Sequence, residues 1–215
     1  MDWMALPLQK DHISRWPLFV HMVSACCCLG FSAFYHLFSI YSQRVSKSLS
    51  RLDYSGIIIL ICGSCMPPIH YYFSCGPGLA WKYVMTGVML TTSLLTFFAI
   101  MHPIFGSPQN QKWRGILFIV LGIGAGGNVI VLNFALEKQY LMEVKSLDYA
   151  VGGAIYIFGA ILYILKAPEK CKPGKFNVCG QSHNLFHFCV VIACFLHYYA
   201  GLDCYLRRKE FICPV

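Results

Sequence analysis

The sequence predicts an all-α fold, a polytopic transmembrane helix bundle, and three observations predict it. The 215 residues are 57% hydrophobic and only 12% charged, where soluble domains carry roughly a quarter charged residues. The charges are clustered, so that 16–43, 54–81, 83–111, 115–136, 149–165 and 176–202 contain no Asp, Glu, Lys or Arg. These stretches match the about 20 apolar residues that a membrane-crossing helix needs, 149–165 being the shortest. Third, the alternating pattern of about ten residues that marks a spanning β-barrel strand is absent.

The expected spans are approximately 17–41, 54–74, 79–101, 115–136, 148–166 and 184–205, in one transmembrane domain covering 1–215. The first follows Arg15 and Trp16 and ends before Arg44. The second follows Asp53, and Pro67-Pro68 near its far end predicts a kink. The third begins near Trp81 and leaves the bilayer at His102-Pro103. The fourth follows Lys112-Trp113-Arg114. Its Gly122-Ile123-Gly124-Ala125-Gly126-Gly127 has the spacing of a dinucleotide loop, but it lies inside a span with no preceding strand. It reads as small residues that let helices pack closely. The fifth runs between Asp148 and Lys166, and the sixth ends before Arg207-Arg208-Lys209. Trp16, Trp81 and Trp113 fit interfacial belts.

Six spans place both termini on one side. The three loops on the other side carry Arg44, Lys47, Arg51, Lys112, Arg114, Lys166, Lys170, Lys172 and Lys175, against Asp53 and Glu169. The two loops on the termini side carry Lys82, Lys138 and Lys145. The positive-inside rule puts the basic loops in the cytoplasm and the termini outside or in a lumen. The net charge of +8 then belongs to flanks facing anionic lipid. No soluble segment interleaves basic and aromatic residues, so no nucleic-acid partner is expected. The N-terminus lacks a signal-peptide pattern. Most of the twelve cysteines fall inside spans, where they act as small apolar residues. Cys75, Cys204 and Cys213 share the outer side, where one disulfide can form.

The polar residues fall into one layer. His36 lies about one turn inside the cytoplasmic end of the first span, and Ser32 is one turn earlier on the same face. Asp53 starts the second span. His183 and His187 open the last, four residues apart and therefore on one helix face. Histidines near a membrane interface commonly serve as packing residues hydrogen-bonded to a carbonyl or headgroup; the other reading is an open zinc site of three imidazoles and a water, with Asp53 placed to orient or deprotonate that water and Ser32 as a second donor. His197 lies about 21 Å beyond His183 along a helix and cannot join. His12, His21 and His70 read as interfacial or packing histidines, and His102 as a boundary residue.

Ser32-Ala33-Phe34-Tyr35-His36-Leu37-Phe38-Ser39, Arg51-Leu52-Asp53-Tyr54-Ser55-Gly56-Ile57, Ala167-Pro168-Glu169-Lys170-Cys171-Lys172-Pro173-Gly174-Lys175-Phe176 and Gln181-Ser182-His183-Asn184-Leu185-Phe186-His187 resemble the progestin and adipoQ receptor family, which includes adiponectin receptors and hemolysin III-like proteins. The resemblance is strongest to the adiponectin-receptor branch. It implies Zn2+ held by His36, His183 and His187, with Asp53 beside the metal-bound water. It implies a seven-helix architecture whose first span has no counterpart here, Trp16 onward resembling the second helix. It also implies hydrolysis of ceramide-type lipid amides or, in an alternative reading, a receptor for a hormone or lipid in which zinc is structural. The implied partners are membrane lipids, a ceramide or other lipid substrate, and an extracellular hormone.

Overall fold

The computed structural model describes residues 13–105, 107–135, 146–176 and 179–213, with the backbone alone described at 108, 128–135 and 146. Among the described residues six α-helices follow one another: α1 (Trp16–Phe38), α2 (Gln43–Tyr72), α3 (Gly78–Met101), α4 (Gln111–Ala135), α5 (Ser146–Leu165) and α6 (Ser182–Glu210). A single 3-10 turn at Pro108–Asn110 precedes α4. No strand occurs among the described residues.

Five of these helices are long and apolar enough to cross a membrane: α1, α2, α3, α5 and α6. Their outward faces carry large apolar side chains, including Val23 at 61% exposed, Leu95 at 64% and Phe195 at 61%. A soluble monomer rarely shows such contiguous apolar surface; here lipid is its solvent. The protein is a multi-pass integral membrane protein.

The start of α2 differs from the sequence expectation. The charge pattern places Arg44, Lys47 and Arg51 in a loop, but α2 begins at Gln43 and contains all three. Ser42 is the reason: its hydroxyl accepts a hydrogen bond from the Val45 N–H at 3.2 Å, a side-chain N-cap that starts the helix in the basic flank. At the other end α2 continues through Pro67-Pro68 to Tyr72.

The glycines redirect one packing expectation. A Cβ at Gly122, Gly124, Gly126 or Gly127 would meet no described atom within 4 Å, so among the described residues the α4 glycine run is not where helices press together. The close approaches lie elsewhere. A Cβ at Gly56 would stand 2.8 Å from the Cys28 Cα, and one at Gly63 2.5 Å from the Ser24 Cβ. These two glycines, two turns apart on α2, seat it against α1. Gly159 does the same for α5 and α6, at 2.7 Å from the Cys189 Cβ.

The core is layered along the bundle. At the outer end Leu18, Ile69, Tyr71, Tyr72, Phe73 and Tyr205 are buried together. Cys28, Leu60, Val190 and Cys194 fill the middle, and Ile58, Ile100 and Leu121 the inner half. The outer end is also tied covalently: Cys75, between α2 and α3, is bonded to Cys213 beyond α6. Of the three outer cysteines, Cys204 stays free and donates to the Tyr72 hydroxyl at 3.1 Å.

Candidate metal centre

The inner end of the bundle gathers residues that are far apart in sequence. His36 stands in the last turn of α1, Asp53 is buried in the N-terminal half of α2, and His183 and His187 occupy the first two turns of α6. Gly56, one turn past Asp53, brings the α2 backbone against α1 one turn before Ser32. This sets Asp53 and the Ser32–His36 face at one height.

The three imidazoles converge through one type of nitrogen. His36 Nε2 is 3.0 Å from His183 Nε2, and His187 Nε2 is 3.1 Å from the same atom. All three ligand atoms lie within 4.8 Å of one another, and this is the one metal-capable group of three or more found among the described residues. Zinc–nitrogen bonds of about 2.0–2.1 Å in a tetrahedral site set neighbouring nitrogens about 3.3 Å apart. The observed separations fall just inside that value. Ring nitrogens aimed at one point bring lone pairs face to face, and a bound cation relieves that arrangement. The residues present therefore fit a divalent metal with a three-histidine donor set.

Ser32 and Asp53 sit behind the rings, 4% and 7% exposed, while His36 is exposed. Ser32 Oγ is 3.2 Å from His187 Nε2, and the Asp53 carboxylate has the Ser32 hydroxyl and the His36 ring as polar neighbours. The cluster is thus closed on its carboxylate side and open past His36. Aromatic rings brace the α6 pair: Tyr163 is centred 5.5 Å from His183, and Phe186 5.5 Å from His187.

The remaining histidines stay out of the cluster. His21 Nε2 bonds the Cys194 carbonyl at 3.0 Å and His197 Nε2 the Tyr149 carbonyl at 3.2 Å. His70 packs edge-on to Trp16. His102 caps α3 and its Nδ1 accepts the Ile104 N–H at 3.4 Å. His12 lies outside the described residues.

One residue at the site escaped sequence reasoning. Glu169, which the sequence reading takes as a loop charge and as part of a family-like segment without giving it a role at the site, accepts hydrogen bonds from both the N–H and the hydroxyl of Ser182, the first residue of α6. Partial burial works against its charge, but these bonds hold its carboxyl below the usual carboxylate range. Thirteen residues separate donor and acceptor, beyond the reach of any local capping pattern.

Bundle and cluster together define a class: a polytopic helical membrane protein with a three-histidine group able to hold a metal at one end. The chain belongs to the Haemolysin-III related family, which it matches over residues 2–198. It is 35% identical over 207 residues to heptahelical transmembrane protein 4 of Arabidopsis thaliana, an alignment covering 95% of this chain and 52% of that protein. It is 34% identical over 201 residues to heptahelical transmembrane protein ADIPOR2 of Oryza sativa subsp. japonica, covering 92% and 85%. It is 33% identical over 180 residues to the adiponectin receptor protein of Drosophila melanogaster, covering 82% and 40%. The chain spans about half the length of most of the curated relatives it matches. It is an adiponectin receptor-like membrane protein.

Proposed function

We propose that His36, His183 and His187 hold Zn2+ near the cytoplasmic face, and that the site hydrolyses the amide bond of a ceramide-type lipid. The observation that carries this reading is the convergence of three Nε2 atoms beside a buried carboxylate. A bound zinc ion lowers the pKa of its water to about 7 and polarises a carbonyl. The Asp53 carboxylate takes the proton of the attacking water. The water oxygen bonds to the amide carbon, the C–N bond breaks, and the proton passes from Asp53 to the leaving amine, giving a fatty acid and sphingosine. The Ser32 hydroxyl donates to the water or to the substrate carbonyl. The open side past His36 admits the headgroup, while the acyl chain stays in lipid.

The orientation in this proposal has two supports: the excess of basic residues at the histidine end, and the Cys75–Cys213 disulfide at the other. Disulfides persist in oxidising compartments. In this topology α4, 25 residues long, crosses as the fourth of six spans.

A second reading has its own observation. His36 comes from α1 and the other two rings from α6, so a metal here would cross-link two helices that otherwise touch little. A receptor with a structural zinc would need this arrangement as well. Fatty-acid release from ceramide by purified, zinc-loaded protein separates the two. The hydrolase reading expects release that Asp53→Asn abolishes while zinc is retained; zinc without cleavage of any amide or ester lipid leaves the receptor reading.

A further inference from the structure

We propose that Glu169 is a positioning residue for the histidine site, a carboxylate from the α5–α6 loop that fixes the first turn of α6 and through it His183. This inference rests on the metal reading above.

The first turn of any helix leaves N–H groups without intrahelical partners. In α6 the residue at the N-cap, Gln181, makes no side-chain cap hydrogen bond. The loop supplies the missing acceptor. The Ser182 N–H donates to Glu169 Oε2 at 2.7 Å, and the Ser182 hydroxyl donates to Glu169 Oε1. Both carboxylate oxygens therefore grip one residue, itself 3% exposed. A negative charge at a helix N-terminus also complements the helix dipole.

Glu169 is itself held. The Lys170 N–H donates to the Lys166 carbonyl at 2.9 Å and the Cys171 N–H to the Pro168 carbonyl at 2.9 Å, so its backbone sits in a bonded turn. Just before α6 the chain bends at Gly180, whose φ of +77° suits glycine. Among the described residues, no other hydrogen bond from outside α6 reaches Ser182. The next residue is His183, whose Nε2 is the atom that both other rings approach, at 3.0 and 3.1 Å. Productive metal geometry tolerates displacements of about 0.5 Å. A frayed first turn moves His183 by more than that while leaving His187, a turn deeper, in place. With both oxygens on Ser182, Glu169 is placed to act on the site through the helix start and not as a metal ligand.

The test uses the full chain in detergent micelles. Zinc affinity is measured by chelator competition in the cold, and Co2+ absorption reports ligand geometry, for the unmodified protein and for Glu169→Ala, Glu169→Gln, Ser182→Ala and Lys170→Ala. Outer-shell partners of metal ligands are typically worth 10–100-fold in metal affinity. Glu169→Ala is expected to weaken zinc by that factor and to change the Co2+ spectrum. Glu169→Gln, which keeps an acceptor for the Ser182 N–H, should recover part of the loss. Lys170→Ala, on the exposed side of the same turn, should match the unmodified protein. Zinc held within twofold in Glu169→Ala, with an unchanged Co2+ spectrum, overturns the proposal and leaves the metal site standing. A loss of affinity shared by Lys170→Ala also overturns it, since the loop as a whole would then be responsible. If Glu169→Ala does not fold, Glu169→Gln and Ser182→Ala decide: zinc affinity unchanged in both overturns the proposal. No zinc in the unmodified protein sinks the metal reading itself.

Discussion

Gly56→Ala tests how the site is held, because one methyl group at that position is aimed at a backbone. The added Cβ would stand 2.8 Å from the Cys28 Cα, where non-bonded carbons settle at about 3.5–4.0 Å. A flexible side chain could turn aside; a helix backbone cannot. Helices α1 and α2 must therefore part locally by about 1 Å. Overpacking of this kind costs roughly 1–3 kcal/mol. His36 is eight residues beyond Cys28, about 12 Å further along α1, and it reaches His183 across a 3.0 Å gap. A shift of 1 Å at Gly56 exceeds the about 0.5 Å that a metal site tolerates. The expected outcome is lower stability together with zinc affinity reduced at least tenfold, read by thermal unfolding in micelles and chelator competition. Gly30→Ala, on the facing helix α1, is the control: its Cβ would meet no described atom within 4 Å, and the helix should gain about 0.5–1 kcal/mol. Equal stability and equal zinc affinity for Gly56→Ala and the unmodified protein would refute the argument that this glycine sets the site's height.

Cys213→Ser opens a link between residues 138 apart in sequence; chain entropy sets an upper bound of about 5 kcal/mol, and a Tm unchanged from that of the oxidised protein would contradict it. In sealed, right-side-out membranes, exposed Cys171 and Cys179 of the α5–α6 loop should resist an impermeant thiol reagent until the membrane is opened; immediate labelling would invert the orientation. Ser42→Ala removes the cap that draws the basic flank into α2; it should cost about 1 kcal/mol and leave zinc binding intact, and a large loss of zinc would show that the flank shapes the site.

The residues whose role depends on one helix's periodicity or on depth were legible in the sequence. Charge-free runs give the helices, and the spacing of His183 and His187 gives their common face. Loop charge then places His36 and Asp53 in the same layer. What sequence could not supply was any contact made by backbone shape or by a distant loop. Gly56 looks like every other small residue in a span, and the run at Gly122–Gly127 looks more like a packing motif than Gly56 does. Only the crossing of α1 and α2 tells them apart. Glu169 reads as one more loop charge until the fold sets Ser182 against it. The start of α2 at Gln43 was readable from Ser42, a good N-cap residue, but the charged positions after it masked the helix.

Metal analysis of the purified protein, beside His183→Ala and His187→Ala, tests the central claim most directly. The account predicts one zinc ion per chain in the unmodified protein and its loss in both variants; a folded, unmodified protein that carries no zinc and takes none up would contradict it.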